Sequence, residues 1–127
     1  EVLGTPAQPL VRIMGRNMFG PGSATLTPSF KPLLERIGLA LKEENGPVKV
    51  IGYTDSEPIR TIAFPSNFQL STARAQAAST IIGGALGEPS RITVEGRADA
   101  DPIAPNSTPE GRERNRRIEV VLTRQGG

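Results

Sequence analysis

The 127-residue sequence contains no cysteine, no histidine and no tryptophan. Without cysteine, neither a disulfide framework nor a thiolate zinc site can form. Without histidine, the commonest general base and the commonest metal ligand are missing. Ser-His-Asp and Cys-His nucleophiles are therefore excluded within the chain. Aromatic residues make up only 4% of the sequence, which leaves few platforms on which nucleic-acid bases would stack. No apolar run approaches the roughly 18–20 residues that span a bilayer. No secretory signal is visible, and the chain begins at Glu1. The expectation is an excised domain whose anchor or targeting segment lies upstream.

Charge is nearly balanced, with 15 basic against 13 acidic residues and a net charge of +2. That balance argues against nucleic acid, which calls for a denser basic face. The positive side is nonetheless biased, with twelve arginines and three lysines. Most of these serve solubility, but a guanidinium fork grips carboxylates bidentately where an ammonium cannot.

Residues 1–9 are rich in small residues, Gly and Pro, and read as a linker; 10–124 read as one folded domain and 125–127 as a tail. Leu10 to Met14 is a candidate first strand, followed by a glycine-punctuated loop over 19–24. Thr27-Pro28 predicts a helix start. Phe30, Leu33, Leu34, Ile37 and Leu41 then give one apolar stripe at helical spacing, which Asn45-Gly46-Pro47 stops. Residues 48–53 alternate as a strand. The 55–65 loop is unusually long for a compact domain, and such loops more often carry function. Ser66 and Gln69 are spaced as a capping box for a helix whose predicted buried face is Leu70, Ala73, Ala77 and Ile81. Gly83-Gly84 weakens that helix, and Gly87 with Pro89 ends it. Residues 91–96 form a third strand, and 98–106 a polar loop. Ser107-Thr108-Pro109-Glu110 caps a short helix bearing Arg112, Asn115 and Arg116 on one face. Ile118, Val120 and Leu122 mark the last strand. The order β-α-β-α-β-α-β predicts an α+β fold, with two main helices on one face of a mixed four-stranded sheet.

One acid, Asp55, follows a strand, and one arginine, Arg74, sits on the helix after it. Opposite charges presented in this way suit a ligand carrying both an ammonium and a carboxylate, which points to a binding module more than to an enzyme. An enzymatic or divalent-metal reading would pair Asp55 with Glu57, or Asp99 with Asp101. Neither pair has helical spacing or a supporting third group. Each residue also has a plainer role open to it. Asp55 is suited to cap its loop, and Arg74 to bridge Asp55 or Asp99. Asn115 and Arg116 are suited to bracing, and Phe64 and Phe68 to loop packing. The run from Arg112 to Arg117 reads as a solvated helix face.

Four stretches in order resemble the OmpA-like peptidoglycan-binding domain: Gly52-Tyr53-Thr54-Asp55, residues 67–75 (NFQLSTARA), Glu95-Gly96, and Gly111 with Asn115-Arg116-Arg117. Together they cover about residues 48–122. The resemblance implies non-covalent binding of the peptidoglycan stem peptide, chiefly its diaminopimelate, with no cofactor, no metal and no catalysis. It assigns the ligand ammonium to Asp55 and the ligand carboxylate to Arg74. Thr54, Asn67, Leu70 and Tyr53 complete the pocket, and Asn115 and Arg116 flank it or brace its loops. Tyr53 stands where the family usually has histidine, and its hydroxyl keeps a hydrogen bond available. Ser56-Glu57-Pro58-Ile59-Arg60-Thr61 and Phe64-Pro65-Ser66-Asn67 are similar to the wall anchors of flagellar stators and of type VI secretion. Residues 18–24 and 95–99 favour the secretion group, in particular the periplasmic domains of TssL/DotU-family inner-membrane proteins. Those proteins carry one transmembrane helix upstream and work with other envelope secretion subunits. The rival implications are a scaffold module without wall binding and a stator-type wall anchor.

Overall fold

A computed structural model describes residues 1–14, 17–20, 22–57 and 64–124. Pro58-Ile59-Arg60-Thr61 of the long loop, Pro21 of the 19–24 loop and the 125–127 tail lie outside these residues. Among these residues the strands and α-helices follow in the order β1 (Val2–Gly4), β2 (Pro9–Met14), α1 (Lys31–Lys42), β3 (Val48–Gly52), α2 (Asn67–Leu86), β4 (Ile92–Gly96), α3 (Pro109–Asn115) and β5 (Arg117–Leu122). The predicted α+β architecture is present, but the sheet has five strands and not four, ordered β1-β2-β5-β3-β4. β3 and β4 run parallel, and every other neighbouring pair is antiparallel.

The additional strand comes from the segment expected to be a linker. Val2 pairs with Val11 and Leu3 with Leu10, and the Arg12 amide donates to the Glu1 carbonyl at 2.8 Å. Alternation does not reveal β1 because it has no buried face: Val2 is 75% exposed. A short edge strand needs only main-chain bonds, which any sequence supplies.

Elsewhere alternation sets the layers. Val48 and Val50 of β3, with Ile118, Val120 and Leu122 of β5, form the floor of the core. Leu34 and Leu41 of α1 and Ala75, Ala78, Ile82 and Leu86 of α2 close it from above. Ser66 opens α2 in extended conformation, its hydroxyl accepting from the Gln69 amide at 3.4 Å. The helix runs through Gly83-Gly84 to Leu86 and ends at Gly87, at φ +80°. Its buried face is the expected one only at Leu70: Ala73, Ala77 and Ile81 are half-buried, while Ser71, Ala75, Ala78 and Ile82 point inward. Most positions of this helix are small, so its sequence pattern fixes the facing side weakly. Among the described residues no helix is long and apolar enough to cross a membrane.

Candidate ligand-binding site

The carboxyl ends of a parallel strand pair are where α/β units leave a crevice. Here β3 and β4 end side by side, with α2 as the crossover between them. Two glycines let α2 lie against those ends. A Cβ on Gly52 would meet the Ser71 carbonyl oxygen at 2.1 Å, and one on Gly96 would meet the Thr72 hydroxyl at the same distance. The chain beyond β3 is tied to the chain beyond β4 by the Thr54 amide, which donates to the Ala98 carbonyl at 2.7 Å. Thr54 itself is buried, its hydroxyl donating to the Asp55 carbonyl at 2.9 Å.

Asp55, 7% exposed, therefore sits at a fixed position at the end of β3. Its Oδ1 accepts from the Glu57 amide at 2.9 Å, the loop-capping role open to an acid there. Its Oδ2 accepts from Nη1 of Arg116 at 2.5 Å. The acid's internal partner is thus Arg116 and not Arg74. The backbone explains this. α3 ends at Asn115, and Arg116 is an extended C-cap at φ −80°, ψ 91°, so its side chain leaves the helix face on which spacing had placed it.

Arg74 is 6% exposed, and its guanidinium is turned toward the 19–24 loop. Nε donates to the Ser23 carbonyl at 2.8 Å and Nη2 to the Gly20 carbonyl at 3.1 Å. The group also lies 5.1 Å from the ring centroid of Phe19, a cation–π distance. Among the described residues Nη1 carries no hydrogen bond. Burial, and then the positive charge of Arg116, push the Arg74 pKa down to about 10, with Asp55 acting in the opposite sense. The group stays protonated at neutral pH. Arg116 and Asp55 thus both act on Arg74 and pair with each other, so among the described residues the three form one cluster of a carboxylate with two guanidiniums.

The rim is polar. Asn67, on the first turn of α2, donates from its amide to the Glu57 carbonyl at 2.8 Å. Glu57 pairs with Arg112 at 3.2 Å, and Arg112 also donates to the Asn106 carbonyl. The enzymatic reading had weighed Glu57 only as a partner of Asp55, and Arg112 only as part of a solvated run. Their spacing along the chain gave no sign that they meet. Leu70 is buried on α2 between Asn67 and Arg74.

One expected pocket residue, Tyr53, is not brought to this cluster. Gly52 faces α2, so the next residue, Tyr53, must face the opposite side of the sheet. There its ring lies 3.7 Å from the Arg117 guanidinium, and its hydroxyl accepts from Arg97 at 3.0 Å. Burial, and then Glu119, raise the phenol's pKa. Arg117 is itself buried, held by Glu119 at 2.7 Å. It belongs to a strand and not to the solvated helix face read from sequence.

Asn115, expected to flank the pocket or brace its loops, does the second. At 1% exposure its side-chain oxygen accepts from the Ile103 and Ala104 amides, while its nitrogen donates to the Ala104 carbonyl and to Asn106. It is a brace for the 98–106 loop. Asn115→Ala is expected to destabilise the domain by about 2–4 kcal/mol, because several buried polar groups lose their partner at once. Urea unfolding checks this. Among the described residues no group of three His, Cys, Asp or Glu is placed to hold a metal ion.

The fold and sequence have known counterparts. The fold superposes with a TM-score of 0.90 on the structure of the cell wall anchor of the T6SS from Pseudomonas aeruginosa. The two are 41% identical, and the match covers 98% of this chain and 87% of that one. The probable lipoprotein YiaD of Escherichia coli is 40% identical over 106 residues, 83% of this chain and 47% of that protein. The peptidoglycan-binding protein ArfA of Mycobacterium tuberculosis is 35% identical over 105 residues, 82% of this chain and 31% of that protein. The chain spans less than half the length of either curated relative. Residues 18–116, from Met18 before the Arg74-bound loop to the arginine that pairs with Asp55, match the OmpA family as one unit; the chain belongs to that family.

Proposed function

We propose that this domain binds peptidoglycan non-covalently through the diaminopimelate of its stem peptide. In this reading it anchors an inner-membrane assembly, of the type VI secretion kind, to the cell wall. The ligand ammonium goes to Asp55 and the ligand carboxylate to Arg74, with Asn67 and Thr54 shaping the approach and Leu70 supporting it from below. One observation carries the reading. A buried carboxylate and a buried guanidinium share one electrostatic cluster at the carboxyl ends of two parallel strands, beneath a polar rim. OmpA membership, the wall-anchor neighbour from Pseudomonas aeruginosa and the peptidoglycan-binding relative ArfA support it. The same resemblances favour a periplasmic location, a membrane helix upstream and contacts with other envelope subunits.

Nothing in this role requires a bond to break. A charge-assisted hydrogen bond contributes about 1.5–3 kcal/mol, and ordering a flexible peptide offsets part of that. Single-site affinity is expected in the range of roughly micromolar to millimolar. Many copies facing one polymer then hold through effective concentration.

Co-sedimentation with purified insoluble peptidoglycan tests the reading. Wild type is expected in the pellet, and Asp55→Asn, which keeps the Glu57 amide bond, is expected to weaken retention about tenfold or more. Arg74→Lys is expected to weaken it similarly. Undiminished retention of both variants would remove the pocket. Failure of wild type to pellet would leave an assembly module without wall contact.

A further inference from the structure

Both oxygens of Asp55 are already engaged, Oδ2 by Arg116. The Nε and Nη2 of Arg74 are likewise engaged, by the Ser23 and Gly20 carbonyls. A zwitterionic ligand therefore meets a carboxylate that carries its own cation, and an arginine with one nitrogen to offer. Arg116 is the more exposed partner in this pair: its side chain is 43% exposed, whereas that of Asp55 is 9% exposed. Its position outside the helix leaves it held, among the described residues, by that one ion pair and its own backbone.

We propose that Arg116 is the specificity-determining residue of the site, occupying Asp55 in the free protein and moving to the ligand carboxylate when a ligand ammonium displaces it. The proposal rests on the wall-peptide reading above and adds the exchange. Arg74 Nη1 and the displaced Arg116 then grip the same carboxylate from two sides.

The charge inventory gives the consequence. Asp55, Arg74 and Arg116 together carry one net positive charge. A side chain that brings an ammonium alone, such as lysine, takes the carboxylate of this trio and leaves both guanidiniums without it, the buried Arg74 at the greater cost. A side chain that brings an ammonium and a carboxylate on one carbon satisfies all three. The site therefore discriminates a diamino dicarboxylic residue from lysine by the cation it would strand, and not by the length of the side chain. A point charge on a flexible stem can replace Arg116 in this role, whereas a neutral side chain cannot.

The test is calorimetric titration of the 127-residue domain with two soluble disaccharide-tripeptides, identical except for meso-diaminopimelate or L-lysine at the third peptide position. Wild type, Arg116→Lys, Arg116→Gln and Asp55→Asn are compared, with thermal melts establishing that each is folded. Wild type is expected to prefer the diaminopimelate peptide. Arg116→Gln is expected to reduce that preference about tenfold or more, through weaker diaminopimelate binding and unchanged or tighter lysine binding. Arg116→Lys is expected to keep most of the preference. Equal weakening of both peptides by Arg116→Gln, with the preference intact, would make Arg116 a brace and overturn the proposal while sparing wall binding. If wild type binds neither peptide, or if Asp55→Asn binds both as well as wild type does, the wall-peptide reading fails and the exchange fails with it.

Discussion

Gly52→Ala is expected to destabilise the domain by about 3 kcal/mol or more and to lower its melting temperature by about 10 °C. The reason is local and rigid. The new Cβ would lie 2.1 Å from the Ser71 carbonyl oxygen, 3.0 Å from its carbon and 3.3 Å from the Ala75 side chain. The first two obstacles are helix backbone, which cannot swing aside. Relief requires α2 to lift from the end of β3, and α2 carries Asn67, Leu70 and Arg74 with it. Wall retention is therefore expected to fall together with stability. Gly84→Ala is the matched control, since nothing lies within 4 Å of its added carbon. It is expected to stabilise by about 0.5–1 kcal/mol, through helix propensity and a less flexible unfolded chain. Differential scanning calorimetry of the two variants, side by side, separates the steric argument from a general intolerance of substitution.

Arg74→Ala is expected to cost about 2–4 kcal/mol as well as binding. This departs from the view of Arg74 as a dedicated ligand grip. Its Nε and Nη2 hold the Ser23 and Gly20 carbonyls, and its guanidinium lies against Phe19. Truncation leaves the Ser23 carbonyl without its arginine partner, leaves the Gly20 carbonyl only the Ser23 amide, and loosens the backbone around them. Denaturant unfolding is expected to give a lower midpoint. Hydrogen exchange is expected to quicken at the Ser23 amide, which bonds the Gly20 carbonyl, and at the Thr27 amide, which bonds the Met18 carbonyl. A variant that binds no wall yet melts and exchanges like wild type would show that the loop does not depend on this arginine. Arg74→Lys serves the binding test better because it keeps a charge and most of the stem.

Much of the architecture was legible because it follows from periodicity and caps. Ser66 with Gln69, Thr108 with the Gly111 amide, and the alternation of Val48 with Val50 and of Ile118 with Val120 each report a local rule. The illegible parts are those in which local rules are silent. β1 carries no buried face, so no alternation marked it. α2 is mostly small residues, so its inward side was decided by packing against Gly52 and Gly96. At the site, Asp55 and Arg74 could be singled out as unusual charges, but their partners could not. The Asp55–Arg116 pair spans 61 positions, and the Arg74–Ser23 bond spans 51. The face of Tyr53 was readable in principle. A glycine packed under a helix and its strand neighbour cannot look the same way. Arg116 was hidden by a single residue of helix length, because one more residue of α3 would have kept it on the face that spacing assigned.

The central claim is that Asp55 and Arg74 form one recognition site for a diaminopimelate-bearing stem peptide. Its most direct test is an NMR titration of isotope-labelled domain with a soluble stem peptide containing meso-diaminopimelate. The account predicts saturable shifts confined to the Asp55, Glu57 and Asn67 amides, the Gly20 and Ser23 amides, and the Arg74 and Arg116 side chains, all lost in Asp55→Asn. Saturable shifts that leave these signals in place and gather elsewhere, for example along Gln76, Thr80 and Val94 between α2 and β4, would contradict it.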